Sequence, residues 1–550
     1  MFFVKSEVSK KVSTGIEITK TKMIIRIVKI YQNWCRIETM SAFLSWIKTN
    51  WFVLSILSGL VIISYVNTLT NQFVSDDRSI VLEGPNWGLE DVYNRAHYSL
   101  RLLVYLITYK LVGLNPVLYH ISNILFHIAN VVLVYEVVKK LSKPKIAFFT
   151  AALFSVHPIL SESIAWVSGG GYAQYTFFFL ISFLLFINAK NNWKMILIST
   201  IFLTLSILSS EKALPLILVY VLYEICYGSI IKRWRYLVPF LVIGIIFGIY
   251  FVSLLTNRSV SLQTSYYQEG GYYNPLIQIP TALSKYLELI FWPMDLTLYQ
   301  TELNFPPLIF GIRALVTLAL FGFIIWSFFK NKSVFFGLSF FLITLLPTLT
   351  PLKIASVVAE RYVYLGSIGI FFVVSFLLYK LFNKKKLKFL SYAIFGLAIV
   401  LLSFRTMVRN LDWENEDTLW LSAAKTSPSS PHNHNNLADY YARHGDYQNA
   451  IRELLIAIAL VPNYADAYHN LGNTYKQIGN TEESINSYEQ AIKYNPGLWQ
   501  SYQNLGAVYF DLKKLDLAKA NFLKALEINP SNPQIQQALQ IVEQSRQQSF

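Results

Sequence analysis

Two adjacent carboxylates, Asp76 and Asp77, follow directly on the first long apolar stretch of the chain. A carboxylate in a partly dry cleft can take a proton from an attacking hydroxyl as a phosphate-linked group leaves, and a neighbouring carboxylate raises its proton affinity. The same pair also reads as a solvated turn or a helix cap after a span, and two acids by themselves do not decide between the readings. Other ionisable side chains recur in comparable positions beside apolar segments: Arg101, His157, Glu162, Glu211, Lys212, Glu360 and Arg361. Such groups are costly to keep near a membrane, and several loops supplying them to one side favour a common site. Arginine at headgroup level suits a phosphate, because its planar fork donates two hydrogen bonds at once. Glu360-Arg361 reads equally as an ion pair at the end of a span. His157, just before Pro158, reads first as an interfacial histidine, since no second histidine stands at ligand spacing. The acid pair lacks further oxygen donors at short spacing, so no metal is expected.

What must position these residues is a set of membrane helices. Of 550 residues, 54% are apolar, 16% aromatic and only 14% charged, a balance that excludes an ordinary soluble enzyme. The positive charge lies before residue 429, where Lys+Arg exceed Asp+Glu by 38 to 21 against 9 to 11 after it, and marks topology rather than nucleic-acid binding. Residues 1–50 form a basic tail with an interfacial piece at 23–46, expected on the cytoplasmic side. Apolar segments are expected to span at 51–69, 117–138, 146–156, 172–189, 196–209, 214–228, 236–255, 308–329, 334–350, 362–382 and 389–404. Lysines and arginines fall on alternate turns, among them Lys139, Lys140, Lys190, Lys232, Lys330 and Lys384. About eleven spans therefore put Asp76, Asp77 and the C-terminal part on the extracytoplasmic face. Residues 96–113 read as an interfacial helix, and 256–307 as an external loop with a dipping helix near Tyr286. Cys35 and Cys226 are the only cysteines, and a disulfide between them is not expected.

The last part is a repeat. Pro428, Pro462, Pro496 and Pro530 are 34 residues apart, and the same step relates Leu437, Leu471 and Leu505, or Ala438, Gly472 and Gly506. That period, with small residues at fixed places, is the tetratricopeptide (TPR) pattern of paired helices stacked into a solenoid. After a connector at 405–428, three repeats are expected over 429–530, with a capping helix at 531–550. Asn436, Asn470 and Asn504 form a stripe that either binds an extended acceptor backbone or merely solvates its helices.

Several stretches resemble the transmembrane-and-TPR-repeat-containing proteins. They include Phe73-Val74-Ser75-Asp76-Asp77, Gly113-Leu114-Asn115-Pro116 and Phe154-Ser155-Val156-His157-Pro158 with Glu162. The series continues with Ala165-Trp166-Val167-Ser168-Gly169, Glu211-Lys212, Ala359-Glu360-Arg361-Tyr362-Val363-Tyr364-Leu365 and Arg409-Asn410-Leu411-Asp412-Trp413. Together they cover most of residues 70–550 in the expected order. The resemblance implies an all-α, GT-C type membrane bundle over 51–404, acting on a polyprenyl- or dolichyl-phosphate monosaccharide. It further implies inverting O-linked transfer of a mannose-like sugar to Ser or Thr of a protein held by the repeats. By the same resemblance Asp76 or Asp77 is the base, and Arg361 with Lys212 lies near the donor phosphate. Glu360, Glu211 and Arg101 join that phosphate-binding group, with His157 and Glu162 as further candidates. The chain departs from the family at Tyr98-Ser99 and at Gly170-Gly171-Tyr172. Two other classes fit the bare topology: a flippase for the lipid-linked sugar, and a non-catalytic membrane scaffold. No cofactor beyond the lipid donor is expected; the setting is an integral membrane protein of a bacterial plasma membrane.

Overall fold

Helices that are apolar on nearly every face hold only among other helices or lipid. The computed structural model describes residues 37–82, 99–263, 274–349, 356–382 and 388–548, and the regular elements among them are all helical. The chain divides into two compact units, with the boundary between Ile56 and Leu57. Of the first, only the helix that begins at Ile37 is described. Residues 1–36 of the basic tail, with Cys35, and Lys384 to Lys386 lie outside the described residues, while residues 37–50 belong to the helix that begins at Ile37.

Among the described residues, five helices are long and apolar enough to cross a membrane: Leu44–Thr70, Pro116–Leu141, Ser168–Ala189, Pro307–Lys330 and Lys388–Leu411. Two bent pairs raise the number to seven if each counts as one span. One bends by 59° where Pro144–Val156 gives way to Pro158–Ala165, because Pro158 has no N–H to continue the helix. Five to seven candidate spans thus stand where eleven were expected. The shortfall is one of length: Trp193–Ser209, Lys332–Thr348 and Ser367–Leu381 are apolar but reach at most 17 residues. At about 1.5 Å per residue that is roughly 26 Å, short of a ~30 Å hydrocarbon core. The span expected at 214–228 holds only the α-helix Ile217–Cys226 after a 3-10 turn. The chain is an integral membrane protein by these helices. The segment expected to lie at the interface is the helix Ser99–Val112, which buries Arg101, Leu102, Tyr105 and Leu106.

Local signals set the helix ends. Gly113 adopts a left-handed φ of 63°, the Asn115 side chain accepts from the Val117 N–H, and Pro116 opens the next helix. Elsewhere small residues set the packing distance. A Cβ on Gly369 would strike the carbonyl of Gly337, so Ser367–Phe382 and Lys332–Leu345 cross with their backbones in contact.

The helix Pro116–Leu141 gives the bundle two chemically distinct ends. Near Lys139 lie the basic turns: Lys143 reaches the Tyr379 hydroxyl at 3.3 Å, and Arg233 donates to the Lys190 carbonyl at 2.7 Å. Near Asn123 lie the acidic and aromatic loops. The last apolar helix closes the bundle against the first, where Asn410 donates to the Ser64 carbonyl (2.8 Å) and the Ser64 and Ser403 hydroxyls pair at 2.7 Å.

Beyond it, the helix Glu416–Thr426 leads into three pairs: Pro431–Arg443 with Tyr447–Leu460, Ala465–Gln477 with Thr481–Tyr494, and Trp499–Asp511 with Leu515–Ile528. Helix Pro533–Gln548 covers the last pair through Ile535, Leu539 and Val542. Gly472 is small because Tyr488 lies against it: an added Cβ would come within 2.7 Å of the ring.

Candidate active site

The first loop is a tight turn, closed by the Asp77 N–H donating to the Val74 carbonyl at 3.1 Å. Its central residues are Ser75 and Asp76, and Ser75 has a φ of +55°, a region that L-residues avoid. The Asp77 side chain is buried and fully engaged. Oδ2 accepts from the Val74 N–H (3.1 Å), while Oδ1 accepts from both the N–H (2.8 Å) and the hydroxyl of Ser168. Burial raises its carboxyl from 3.8 to about 7, against the pull of these donors.

Asp76, by contrast, is exposed, and no hydrogen bond to its carboxylate is made by a described residue. The surrounding protein raises its pKa by desolvation, while Arg361 pulls it down. Arg361 is held by Glu162, which is completely buried and accepts from both the Arg361 backbone N–H (2.7 Å) and its guanidinium. Burial works against the charge on Arg361, but Glu162 together with Tyr362, Tyr172 and Tyr299 outweighs it and keeps the guanidinium protonated. The guanidinium also lies over Trp166 (5.5 Å) and Tyr362 (5.1 Å). Lys212 meets the same Tyr362 ring at 4.9 Å and Tyr172 at 5.2 Å, with Glu211 at 3.9 Å. Two cations thus share one aromatic ring, each with a carboxylate beside it: Glu162 for Arg361 and Glu211 for Lys212.

Asp76, Asp77, Glu162, Glu211, Lys212 and Arg361 therefore come together, although loops far apart in the chain supply them. Three other candidates take structural partners. Glu360 turns away to Arg409 (3.1 Å), which also holds Asp412 at 2.7 Å. Burial raises the Glu360 carboxyl to about 8, Arg409 opposing and Glu162 adding to the rise. Arg101 donates to the Asn123 carboxamide (3.0 Å) and the Val167 carbonyl (2.5 Å), and its Nε and Nη1 find no partner among the described residues. Gly170 is required there, since a Cβ would collide with Asn123 and Arg101. His157 accepts from the Ile159 N–H (3.2 Å) through Nδ1 and bonds the Ile290 carbonyl (2.8 Å) through Nε2, so both nitrogens are spent on backbone.

Sequence reasoning missed the aromatic frame. The Trp166 indole donates to the Val74 carbonyl at 3.1 Å and stacks on Trp413, ring centres 5.7 Å apart. Val74, Trp166, Leu298, Trp413, Leu419 and Trp420 form one buried cluster. It also missed Glu416, whose Oε1 accepts from the Ser75 N–H at 2.8 Å. Among the described residues no group of three or more His, Cys, Asp or Glu could hold a metal ion.

In the repeats, Asn470 donates to Asn435 (2.9 Å) and Asn504 to Asn473 (2.7 Å). Asn436 is half-buried at the matching place in the first repeat. Beside this ladder a cleft of about 320 Å³ is lined by Asp439, Arg443, Asn470, Asn473 and Gln477.

Models described as tetratricopeptide repeat match residues 465–497 and 499–532, and one described as TPR repeat matches 438–479. Protein O-mannosyl-transferase TMTC3 of Homo sapiens is 25% identical over 464 residues, 74% of this chain and 51% of its own length. Its counterpart in Mus musculus is 24% identical over 468 residues, with the same coverage. Protein O-mannosyl-transferase TMTC4 of Homo sapiens is 24% identical over 484 residues, 72% of this chain and 65% of its own. The chain thus spans about half the length of the first of these relatives. With its apolar helices, its repeats and this extended likeness, the chain is a distant homologue of the TMTC protein O-mannosyl-transferases.

Proposed function

We propose that the chain is a membrane glycosyltransferase of GT-C type. It moves a mannose-like sugar from a polyprenyl-phosphate donor to a Ser or Thr hydroxyl of a protein on the extracytoplasmic side. The observation that carries this reading is the carboxylate of Asp76, which no described residue hydrogen-bonds and on which the charge of Arg361 acts, with Lys212 sharing the Tyr362 ring. Asp76 removes the proton from the acceptor hydroxyl as its oxygen bonds to the sugar C1. The C1–O bond to phosphate breaks on the opposite face, the configuration inverts, and the lipid phosphate leaves with the bonding electrons. Arg361 and Lys212 neutralise the charge that grows on that phosphate, which lowers the barrier most where water is sparse. Asp77 and Glu162 hold the base and the arginine in place.

The basic turns at the far end of the bundle favour a cytoplasmic setting for that end. The donor phosphate and the repeats then meet on the extracytoplasmic side. The repeats bind the acceptor chain through the stripe of Asn436, Asn470 and Asn504, of which Asn470 lines the cleft.

The test is sugar transfer by the purified full chain from undecaprenyl-phosphate-mannose to a Ser/Thr peptide. Asp76→Asn is expected to cut kcat by about 10²-fold or more, the usual scale for losing a general base. Full activity of this variant would sink the assignment. Because the base must be ionised, kcat/KM of the native chain should rise with pH through the raised pKa of Asp76.

A further inference from the structure

Glu416 opens the helix that joins the membrane part to the repeats. Asn415 caps that helix, its side chain and that of Thr418 satisfying each other's backbone N–H. A carboxylate in the first turn is favoured by the helix dipole, yet Glu416 points back toward the first loop. Oε1 accepts from the Ser75 N–H at 2.8 Å, Oε2 accepts from the Trp420 indole at 2.5 Å, and Arg78 stands 3.7 Å away. Next to it, the Glu414 carbonyl accepts from the Gln72 N–H at 2.8 Å. The stacked pair Trp166 and Trp413 closes the other side of the turn, where the Trp166 indole reaches the Val74 carbonyl.

Ser75 is the residue that needs this help. The Asp77 bonds fix the two ends of the turn, Val74 and Asp77, but not the twist at its centre. A left-handed serine relaxes unless its surroundings over-determine it, and the described partner that grips its N–H is Glu416. Asp76 is the next residue; its carbonyl accepts from the Ile80 N–H (2.9 Å) and the Ser79 hydroxyl (3.1 Å), and the torsion at Ser75 sets how the residue enters that grip and so where its carboxylate points.

We propose that Glu416 is a positioning residue that locks Ser75 in its left-handed conformation and so aims Asp76, making the helix that leads into the repeats part of the catalytic device. This rests on the role given above to Asp76. The helix is then more than a tether for acceptor binding, and losing its contact impairs transfer even to a peptide too short to reach the repeats.

The test uses the full chain in nanodiscs, with undecaprenyl-phosphate-mannose and a short Ser/Thr peptide. Glu416→Ala should lower kcat at least about tenfold, as small misplacements of reacting groups do, with donor KM held within about twofold. Glu416→Gln keeps one acceptor oxygen and should fall between. The discriminating variant adds Ser75→Gly to Glu416→Ala. Glycine adopts the left-handed conformation unaided, so kcat should recover, whereas a merely structural role for Glu416 gives no rescue. Hydrogen exchange over residues 74–80 should speed up in Glu416→Ala and slow again in the double variant. Native kcat in Glu416→Ala, or no recovery in the double variant, overturns the proposal. If Glu416→Ala does not fold, Glu416→Gln with and without Ser75→Gly makes the same comparison. If the native chain transfers no mannose, the functional reading fails, and unchanged exchange over 74–80 still overturns the clamp on its own.

Discussion

Asp77 accepts three hydrogen bonds inside the protein, from the Val74 N–H and from the N–H and hydroxyl of Ser168. Three of the roughly four lone-pair positions of its carboxylate are thus taken up inside the protein, which is why the proposed proton transfer is assigned to Asp76 and why Asp77 has a different signature. Burial raises its carboxyl from 3.8 to about 7, so the folded chain holds that proton more tightly than the unfolded one. The stability it contributes is full below its ordinary pKa and is lost as the pH climbs through about 7. Asp77→Asn does not titrate, so its thermal midpoint should vary less than the native one between about pH 4 and pH 7.5. Equal slopes would show that Asp77 does not carry the effect. The acid pair itself was visible in the sequence, from two adjacent aspartates after an apolar stretch. Which one is free was not, because the deciding partners, Ser168 and Glu416, lie 91 and 341 residues further on. No periodicity connects such distances. Arg361 was legible as a cation at the end of a span, but Glu360 beside it faces Arg409 instead, since adjacent residues on a short helical turn point to different neighbours.

Among the elements, the repeats were the most readable, because each 34-residue unit meets the same surroundings and keeps the same small and large residues. The membrane helices were harder. Composition marks an apolar helix but not where a proline or a short length stops it, as at Pro158. The repeats also expose one local misfit. Gly445 and Gly479 turn between the paired helices with φ of +78° and +80°, and Lys513, a further 34 residues on, adopts +59° at the same place. A lysine there is strained by roughly 1 kcal/mol or more. Lys513→Gly is therefore expected to stabilise the third repeat by roughly 0.5 kcal/mol, the strain it removes less the entropy that glycine adds to the unfolded chain. Unfolding of the repeats followed by circular dichroism in urea would read this as a higher midpoint; a lower one would mean that Lys513 makes a contact worth more than its strain.

At the scale of the molecule, the repeats are fastened to the same end of the bundle that carries Asp76. Tyr299 stacks on Trp420 at 6.5 Å and meets His432 at 5.4 Å, and Ser429 bonds Glu302 (2.8 Å) and Thr301 (3.0 Å). A solenoid anchored in this way holds its cleft at a fixed distance from the turn, the arrangement that the proposed transfer to an acceptor bound along the repeats requires. Acceptor length then separates the two tasks. Replacing Asn436, Asn470 and Asn504 with Ala removes carboxamides worth about 1 kcal/mol each to a bound backbone. The triple variant should raise KM for a long unfolded acceptor at least about tenfold. It should leave transfer to a short peptide unchanged, because that substrate meets only Asp76, Arg361 and Lys212. Equal losses on both substrates would mean that the carboxamide ladder, through Asn435 and Asn473, stiffens the solenoid rather than binding the acceptor.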